Sequence, residues 1–244
     1  MTGDVARTHY AHRDDPDSQT APAEVRRGLS EFLEQWPVDG QVLDLGTGVG
    51  GNLEQLTARH RTVGAEISLA AARQAKLRAP VAVADGARLP FRDGTFAAVV
   101  CTEVLEHVDD PRLVFAEMAR VLAPGGVAYV TTPNYANLAG LHKWWADRRS
   151  GRHDWNPWGA HHGGFEAFMT GRRLWRAAAP SFRLERVRGL DYGQALTGRF
   201  AALDRLAWSR PGQAVLRWAL PRLYRADSRR AWHGMHVEMV LRRT

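Results

Sequence analysis

Residues 41–52 (QVLDLGTGVGGN) constrain the fold more than any other segment of the chain. The apolar run 42–45 is typical of a buried strand, and it ends in glycines that a helical pattern follows. A strand, a tight turn and a helix N-terminus are therefore predicted. Gly46, Gly48 and Gly50 lack the Cβ atoms that would keep a ligand from the backbone, and a helix start offers unpaired N–H groups. Such a turn predicts a nucleotide-like ligand.

Asp44, two residues before the first glycine, indicates which ligand the turn binds. By letter, the glycines also satisfy the dinucleotide pattern G-x-G-x-x-G, so an NAD-dependent oxidoreductase is one alternative. Asp44 argues against it, because a carboxylate at that place would face a pyrophosphate, whereas it suits a ligand that carries an ammonium group. The stretch resembles motif I, Asp-x-Gly-x-Gly-x-Gly, of the class I S-adenosylmethionine (SAM) dependent methyltransferases. SAM has such an ammonium group in its methionine moiety.

Acidic residues also close the second and third predicted strands. Glu66 lies 20 residues after Gly46, the distance at which an acid can bind both hydroxyls of a ribose, and Asp85 precedes Gly86. Because parallel strands present their carboxyl ends at one edge, Asp44, Glu66 and Asp85 should line a single crevice. Each acid alone could equally be a helix cap or a turn former. Their occurrence at three consecutive strand ends favours a ligand site.

Strand and helix patterns alternate through residues 41–133, which predicts an α/β, Rossmann-like sheet of parallel strands with crossover helices. We expect strands at 41–45, 62–66, 81–84, 96–101 and 127–132, and helices at 23–36, 51–59, 68–77 and 111–121. Further along, we expect a helix at 170–179, a strand at 182–188, a helical segment at 195–224 broken at Pro211-Gly212, and a strand at 236–242. The resemblance implies seven strands, the last pairing antiparallel at the sheet edge.

Three parts of the chain are expected. Residues 1–40 form an N-terminal arm and a cap helix, and residues 41–133 form the SAM-binding core. Residues 134–244 form an acceptor-side region that completes the sheet. That region contains a Trp-rich loop (134–165) and a helical insertion (195–232), which is interpreted as a lid, a dimer surface or a lipid-facing element.

The resemblance extends over three further segments and covers about residues 41–133. Residues 81–91 (VAVADGARLPF) resemble the segment whose acid reaches the adenine amino group, residues 97–111 (AAVVCTEVLEHVDDP) the fourth-strand motif, and residues 122–133 (LAPGGVAYVTTP) the Pro-Gly-Gly turn that enters the fifth strand. These letters are similar to the small-molecule branch that includes the quinone-biosynthesis methyltransferases. The resemblance implies the following cofactor-binding residues: Asp44, Gly46, Gly48, Gly50, Asn52, Glu66, Ile67, Asp85, Gly86, Ala87, Thr102 and Glu103.

Methyl transfer to a hydroxyl requires a group that takes its proton, and histidine is the natural base near neutral pH. The candidates are His107, beyond the fourth strand, and the pair His161 and His162, which loosely resembles a His before a Phe in many relatives. The alternative for His162 is a hydrogen bond that stabilises its loop. Metal binding by His153, Asp154 and the histidine pair is not predicted, because no helical or hairpin spacing orders them.

Charge is unevenly distributed. The net charge is −5 through Pro133 and +12 from residue 134 onward, within a total of +7. We expect a small-molecule or carrier-borne acceptor that is modified at oxygen. Because the basic half should supply the acceptor side, we also expect this acceptor to be anionic. The nominated contacts are Arg148, Arg149, Arg152, Arg172 and Arg173, and the alternative is a solvated face.

Other partners follow from the same pattern. An RNA methyltransferase or nucleic-acid-binding module is disfavoured, because the arginines are interleaved with Leu and Trp rather than set in a continuous stripe. Peripheral membrane contact through residues 195–232 and a homodimer are further alternatives. Packing is the preferred interpretation of four tryptophans, Trp144, Trp145, Trp155 and Trp158, and an aromatic acceptor site is the alternative. Cys101 is read as a buried apolar residue. Residues 1–10 lack the apolar core of a signal peptide, so a cytoplasmic protein is expected.

Overall fold

The structure is a computed structural model that describes residues 21–150, 169–190, 205–207, 209–225 and 234–244. Its strands are β1 (Val42–Leu45), β2 (Thr62–Glu66), β3 (Val81–Val83), β4 (Phe96–Thr102), β5 (Leu122–Pro133), β6 (Phe182–Leu190) and β7 (His236–Arg243). Its helices are α1 (Ala23–Gln35), α2 (Leu53–Thr57), α3 (Leu69–Ala75), α4 (Pro111–Val121), α5 (Leu138–Ser150), α6 (Gly171–Ala178) and α7 (Arg210–Arg225), with one 3-10 turn at Leu105–His107. The predicted N-terminal arm lies outside the described residues.

The strands form one seven-stranded sheet in the order β3-β2-β1-β4-β5-β7-β6. Strands β1 to β5 pair in parallel, whereas β7 pairs antiparallel with both β5 and β6. The predicted fold class is therefore confirmed. The expectation that the last strand forms the edge is wrong, because β7 lies between β5 and β6. Its residues 237–241 are buried, whereas β6 is partly exposed along most of its length, as suits an edge strand.

Strand β5 begins five residues before its predicted start. Leu122 pairs with Phe96, and the register between β4 and β5 shifts before Ala98 pairs with Val127. The Pro-Gly-Gly segment therefore lies in an irregular stretch within the strand instead of preceding it. Gly125 has a φ of +73°, a conformation that favours glycine.

Helix and break in the C-terminal half differ from the prediction at one segment and agree with it at another. Residues 138–150 form α5 where a loop was expected. The break predicted at Pro211-Gly212 lies beside an interruption of the helical segment, since residues 205–207 are helical, Ser209 lies in a bend, and α7 begins at Arg210. Pro211 fits the first turn of α7, because a proline there removes an N–H that has no partner. The N–H of Gly212 donates to Ser209 Oγ at 3.2 Å, which caps the new start. Residues 195–204 of the predicted helix lie outside the described residues.

Helices cover both faces of the sheet. One core cluster joins the strands to apolar residues of α4 and α6, including Phe115, Met118 and Leu174. A second cluster packs Leu29 and Phe32 of α1 against the sheet. Buried Cys101 lies in the first cluster, as expected. No helix among the described residues is long and apolar enough to cross a membrane.

A buried carboxylate ties α1 to the antiparallel half of the sheet. Glu238 on β7 is fully buried and accepts hydrogen bonds from Tyr129 Oη (3.0 Å) and Arg188 Nη2 (2.7 Å). Arg188 also donates to Glu31 of α1 at 2.5 Å. Burial raises the pKa of Tyr129 well above its usual value, and the neighbouring Glu238 carboxylate adds to this effect. The helix approaches this group closely at Gly28.

We predict that Gly28→Ala destabilises the protein by about 1–3 kcal/mol, because an added Cβ would lie 2.6 Å from Tyr129 Oη and 2.8 Å from Glu238 Oε2. Urea unfolding measures the change. Gly51→Ala is the matched control, because a Cβ there meets no atom within 4 Å. Equal stability of the two variants would show that α1 can move away from the sheet at no cost.

Candidate functional site

The predicted glycine turn connects β1 to α2. Gly46, Gly48 and Gly50 have φ values of +73°, +56° and +95°, so all three adopt a backbone conformation that favours glycine. A Cβ on Gly46 would clash with Val104 Cγ2, which packs against the turn from beyond β4. The turn is therefore held between β1 and the segment after β4, and only glycine fits its closest approach.

Asp44 lies within β1 behind this turn and is fully buried. Its Oδ1 accepts a 3.4 Å hydrogen bond from Asn52 Nδ2, which also donates to Thr102 Oγ1 at 2.8 Å. Two buried oxygen atoms, Asp44 Oδ2 and Asn52 Oδ1, make no hydrogen bond within the described residues. Both are acceptors, so a ligand with N–H donors would satisfy them.

Burial raises the pKa of Asp44 to about 7, and the nearby Glu66 carboxylate contributes to the rise, whereas the hydrogen bond from Asn52 opposes it. Keeping this carboxyl group buried therefore costs stability when no cation is close. A bound ammonium group would favour the ionised form and recover that cost.

Glu66 closes β2 and holds the glycine turn. Its Oε2 accepts the N–H of Gly48 at 2.7 Å, and its Oε1 accepts the N–H of Ser68 at 2.8 Å. Ser68 in turn caps α3. Burial raises the pKa of Glu66, although the backbone N–H groups of Ser68, Gly48 and Ile67 oppose the rise. The carboxylate is thus fixed at the edge where the sequence predicts it.

The third predicted acid stabilises a turn. Asp85 lies two residues beyond β3, is partly exposed, and accepts the N–H of Ala87 at 2.9 Å. Gly86, between them, lies over Leu45 at the end of β1, since a Cβ there would be 3.4 Å from Leu45 Cδ1. Asp85 therefore stabilises this turn, and its role in binding the cofactor stays a prediction.

The sheet order brings these residues to one crevice. Strand β1 is flanked by β2 on one side and β4 on the other, so the crossovers diverge between β1 and β4. Ligands of open parallel sheets bind beyond the carboxyl ends of the strands at such a point. The glycine turn, Glu66 and Thr102 all lie at this edge.

Comparison with known proteins agrees with this geometry. Residues 43–130 match the family described as a methyltransferase domain. The chain is 39% identical over 112 residues, 42% of its length and 46% of the relative, to a ubiquinone/menaquinone biosynthesis C-methyltransferase of Desulfotalea psychrophila. It is 34% identical over 110 residues, 41% of its length and 32% of the relative, to the chloroplastic tocopherol O-methyltransferase of Arabidopsis thaliana.

The fold is shared with solved methyltransferase structures. The methyltransferase that forms a complex with the Haloferax volcanii Trm112 activator has a TM-score of 0.61 at 20% identity, covering 90% of this chain and 89% of that chain. Residues 43–130 are therefore similar to the methyltransferase domain family, and the fold is the one that class I methyltransferases share. It spans about half the length, or less, of the curated relatives it matches.

A second group of polar residues lies beyond β4 and β5. Glu103 has a φ of 56°, the one positive value among the non-glycine residues that the structure describes. This conformation costs about 1–3 kcal/mol. Thr131 Oγ1 donates to Glu103 Oε1 at 2.8 Å, and His236 Nε2 lies 3.3 Å from Glu103 Oε2.

Glu106 and the predicted base His107 form the neighbouring part of this group. Glu106 is 1% exposed, accepts a 2.9 Å hydrogen bond from Thr132 Oγ1, and lies 3.7 Å from His107 Nε2. The side chain of His107 is 24% exposed. His107 therefore lies beside a buried carboxylate, and its catalytic role stays a prediction.

The other predicted bases, His161 and His162, lie outside the described residues, as do His153, Asp154 and Arg152. Within the described part of the chain, no group of three or more His, Cys, Asp or Glu side chains could hold a metal ion. Sequence reasoning did not assign a role to His236. The residue opens the last strand opposite Pro133, and only the pairing of β7 with β5 brings it to Glu103.

We predict that Asp44→Asn stabilises the ligand-free protein. The unfolded carboxyl group ionises near pH 3.8 and the folded one near 7, so the folded state binds more protons between these values. The wild type should lose stability relative to the variant as pH rises from about 4 to about 7, by up to about 4 kcal/mol, and the difference should stay constant above that range.

Urea unfolding at several pH values measures this difference. Glu34→Gln, which removes an exposed carboxylate on α1, is the control and should follow the wild type. Parallel pH profiles for Asp44→Asn and the wild type would contradict the prediction.

Proposed function

We propose that this chain is a SAM-dependent methyltransferase that acts on a small-molecule or carrier-borne acceptor, at oxygen. The observation that carries the proposal is the buried, partly unsatisfied pair Asp44 and Asn52 behind the glycine turn, at the divergence between β1 and β4. When bound, SAM supplies a methyl group on a positively charged sulfur. One of the matched relatives is named for methyl transfer to carbon and another for transfer to oxygen. They therefore support methyl transfer in general, and the choice of oxygen is part of the proposal.

The described residues fit the cofactor. Asp44 Oδ2 and Asn52 Oδ1 accept no hydrogen bond from the described residues, so they suit the ammonium group of SAM. The glycine turn allows close approach of the ligand to the backbone. Glu66 is held by two backbone N–H groups and suits ribose hydroxyls. Asp85 and Ala87 would lie against the adenine end. These residues bind and orient the ligand, and burial strengthens the attraction between Asp44 and a cation.

We predict that the protein binds S-adenosylhomocysteine (SAH), the demethylated product, and that Asp44→Asn and Glu66→Gln each weaken binding about tenfold or more. Isothermal titration calorimetry measures the affinities. Since Asp44→Asn is also expected to be the more stable protein, weaker binding cannot be attributed to unfolding. Tight binding of NADH without binding of SAH would instead support an oxidoreductase.

The acceptor side supports a small, anionic acceptor. A shallow, largely apolar depression lies between residues 135–137 and the start of α5, with Leu141 and Trp144 among its lining residues. Beyond it, Arg148 lies 5.4 Å from the ring of Trp144 and Arg149 lies 5.1 Å from that of Trp145. The stacked guanidinium groups keep their N–H donors available at the ring edge.

We predict that the charge reversal Arg172→Glu/Arg173→Glu on α6 raises KM for an anionic acceptor about tenfold at low salt, because both arginines are exposed in the basic half. Acceptors are found with radiolabelled SAM among phenols that differ only by a phosphate or carboxylate group. The matched control is Arg73→Glu/Lys76→Glu on α3, which should leave KM unchanged.

The dependence of kcat/KM on salt concentration can contradict this prediction. A value of kcat/KM that does not change from low to high ionic strength would assign these arginines to solubility. Co-sedimentation of the protein with anionic vesicles would instead indicate peripheral membrane contact, to which the exposed Val215 and Trp218 of α7 are suited.

A further inference from the structure

The carboxylate of Glu103 is held in one orientation by contacts with two strands, and it is still accessible to solvent. Its two oxygens face two different strands: Thr131 of β5 donates to Oε1 at 2.8 Å, and Nε2 of His236 of β7 lies 3.3 Å from Oε2. The side chain is nevertheless 18% exposed. Its neighbour Glu106 has a similar threonine anchor but is 1% exposed, so Glu103 is the more accessible of the two.

The residues on either side of Glu103 contact the cofactor turn. Thr102 accepts the hydrogen bond from Asn52, and Val104 packs against Gly46. Glu103 therefore lies between the glycine turn on one side and the ends of β5 and β7 on the other. Its positive φ places a charged side chain at this boundary, where glycine would be free of strain.

We propose that Glu103 faces the reacting centre and takes the proton of the methyl acceptor, and that His236 is a positioning residue that holds this carboxylate. This proposal rests on the proposed function. In the step, a lone pair of the acceptor oxygen forms the new O–C bond, the C–S bond breaks onto sulfur, and the hydroxyl proton passes to a Glu103 oxygen. Charge balances, because one sulfonium charge and one carboxylate charge are neutralised together.

The test compares two ligands of the same site. SAH has a neutral sulfur, whereas sinefungin has a carbon that bears an amino group in its place, so its ammonium occupies the region of the transferred methyl group. If Glu103 faces that region, Glu103→Gln should weaken sinefungin binding about tenfold and leave SAH binding within twofold, as calorimetry measures. Gln keeps the size of the side chain and can still accept from Thr131.

The control for general effects is Glu185→Gln, which removes an ion-paired carboxylate on β6 and should leave both affinities unchanged. His236→Ala should weaken sinefungin binding several-fold and leave SAH binding unchanged. His236→Gln should recover most of that loss, because a Gln amide can donate from near the position of the imidazole Nε2. For a hydroxyl acceptor from the radiolabel screen, Glu103→Gln should lower kcat about 100-fold without changing KM for SAM.

The outcomes separate the two proposals. A wild type that binds neither SAH nor sinefungin would overturn the proposed function. A wild type that binds both, with Glu103→Gln weakening both equally or neither, would overturn the assignment of Glu103 alone. Equal loss in His236→Ala and His236→Gln would overturn the positioning role of His236.

Discussion

The parallel pairing of β1 with both β2 and β4 is the constraint on which the site depends. This pairing buries Asp44 in the centre of the sheet and sets the carboxyl ends of β1, β2 and β4 beside one another. The glycine turn can then be held from two sides, by Glu66 through the N–H of Gly48 and by Val104 against Gly46. Changes in this register would move every cofactor contact at once.

The candidate site contains two local costs that packing elsewhere must offset. Asp44 is buried with an unsatisfied oxygen, and Glu103 has a backbone conformation that is unfavourable for a side-chain-bearing residue. Far from the crevice, the buried Glu238 accepts hydrogen bonds from Tyr129 and Arg188 through Oε2, and its Oε1 lies 3.0 Å from Arg186 Nη2. The charge of the buried Glu238 is thus offset by arginines of the protein itself, whereas the side-chain hydrogen bond that Asp44 accepts comes from the neutral amide of Asn52.

Residues 41–133 were more predictable from sequence than residues 134–244, for physical reasons. Apolar runs that end in glycine or an acid have local causes, so β2 and α4 lie where the pattern predicts them, and the Asp44 turn lies where it was expected. The place of β7 inside the sheet and the contact of His236 with Glu103 depend on pairing between distant segments. The break at Pro211-Gly212 has a local cause as well, and the exact start of α7 at Arg210 goes with the cap that Ser209 provides to Gly212.

The position of β7 also restricts the order in which the sheet can assemble. Strand β6 has β7 as its only described strand partner, and β7 follows it only after residues 191–235. During synthesis, a chain that has not yet reached His236 therefore exposes the edge of β5 and leaves β6 without strand hydrogen bonds. Such an edge invites pairing with other chains, so the protein is open to aggregation until β7 has paired with both strands.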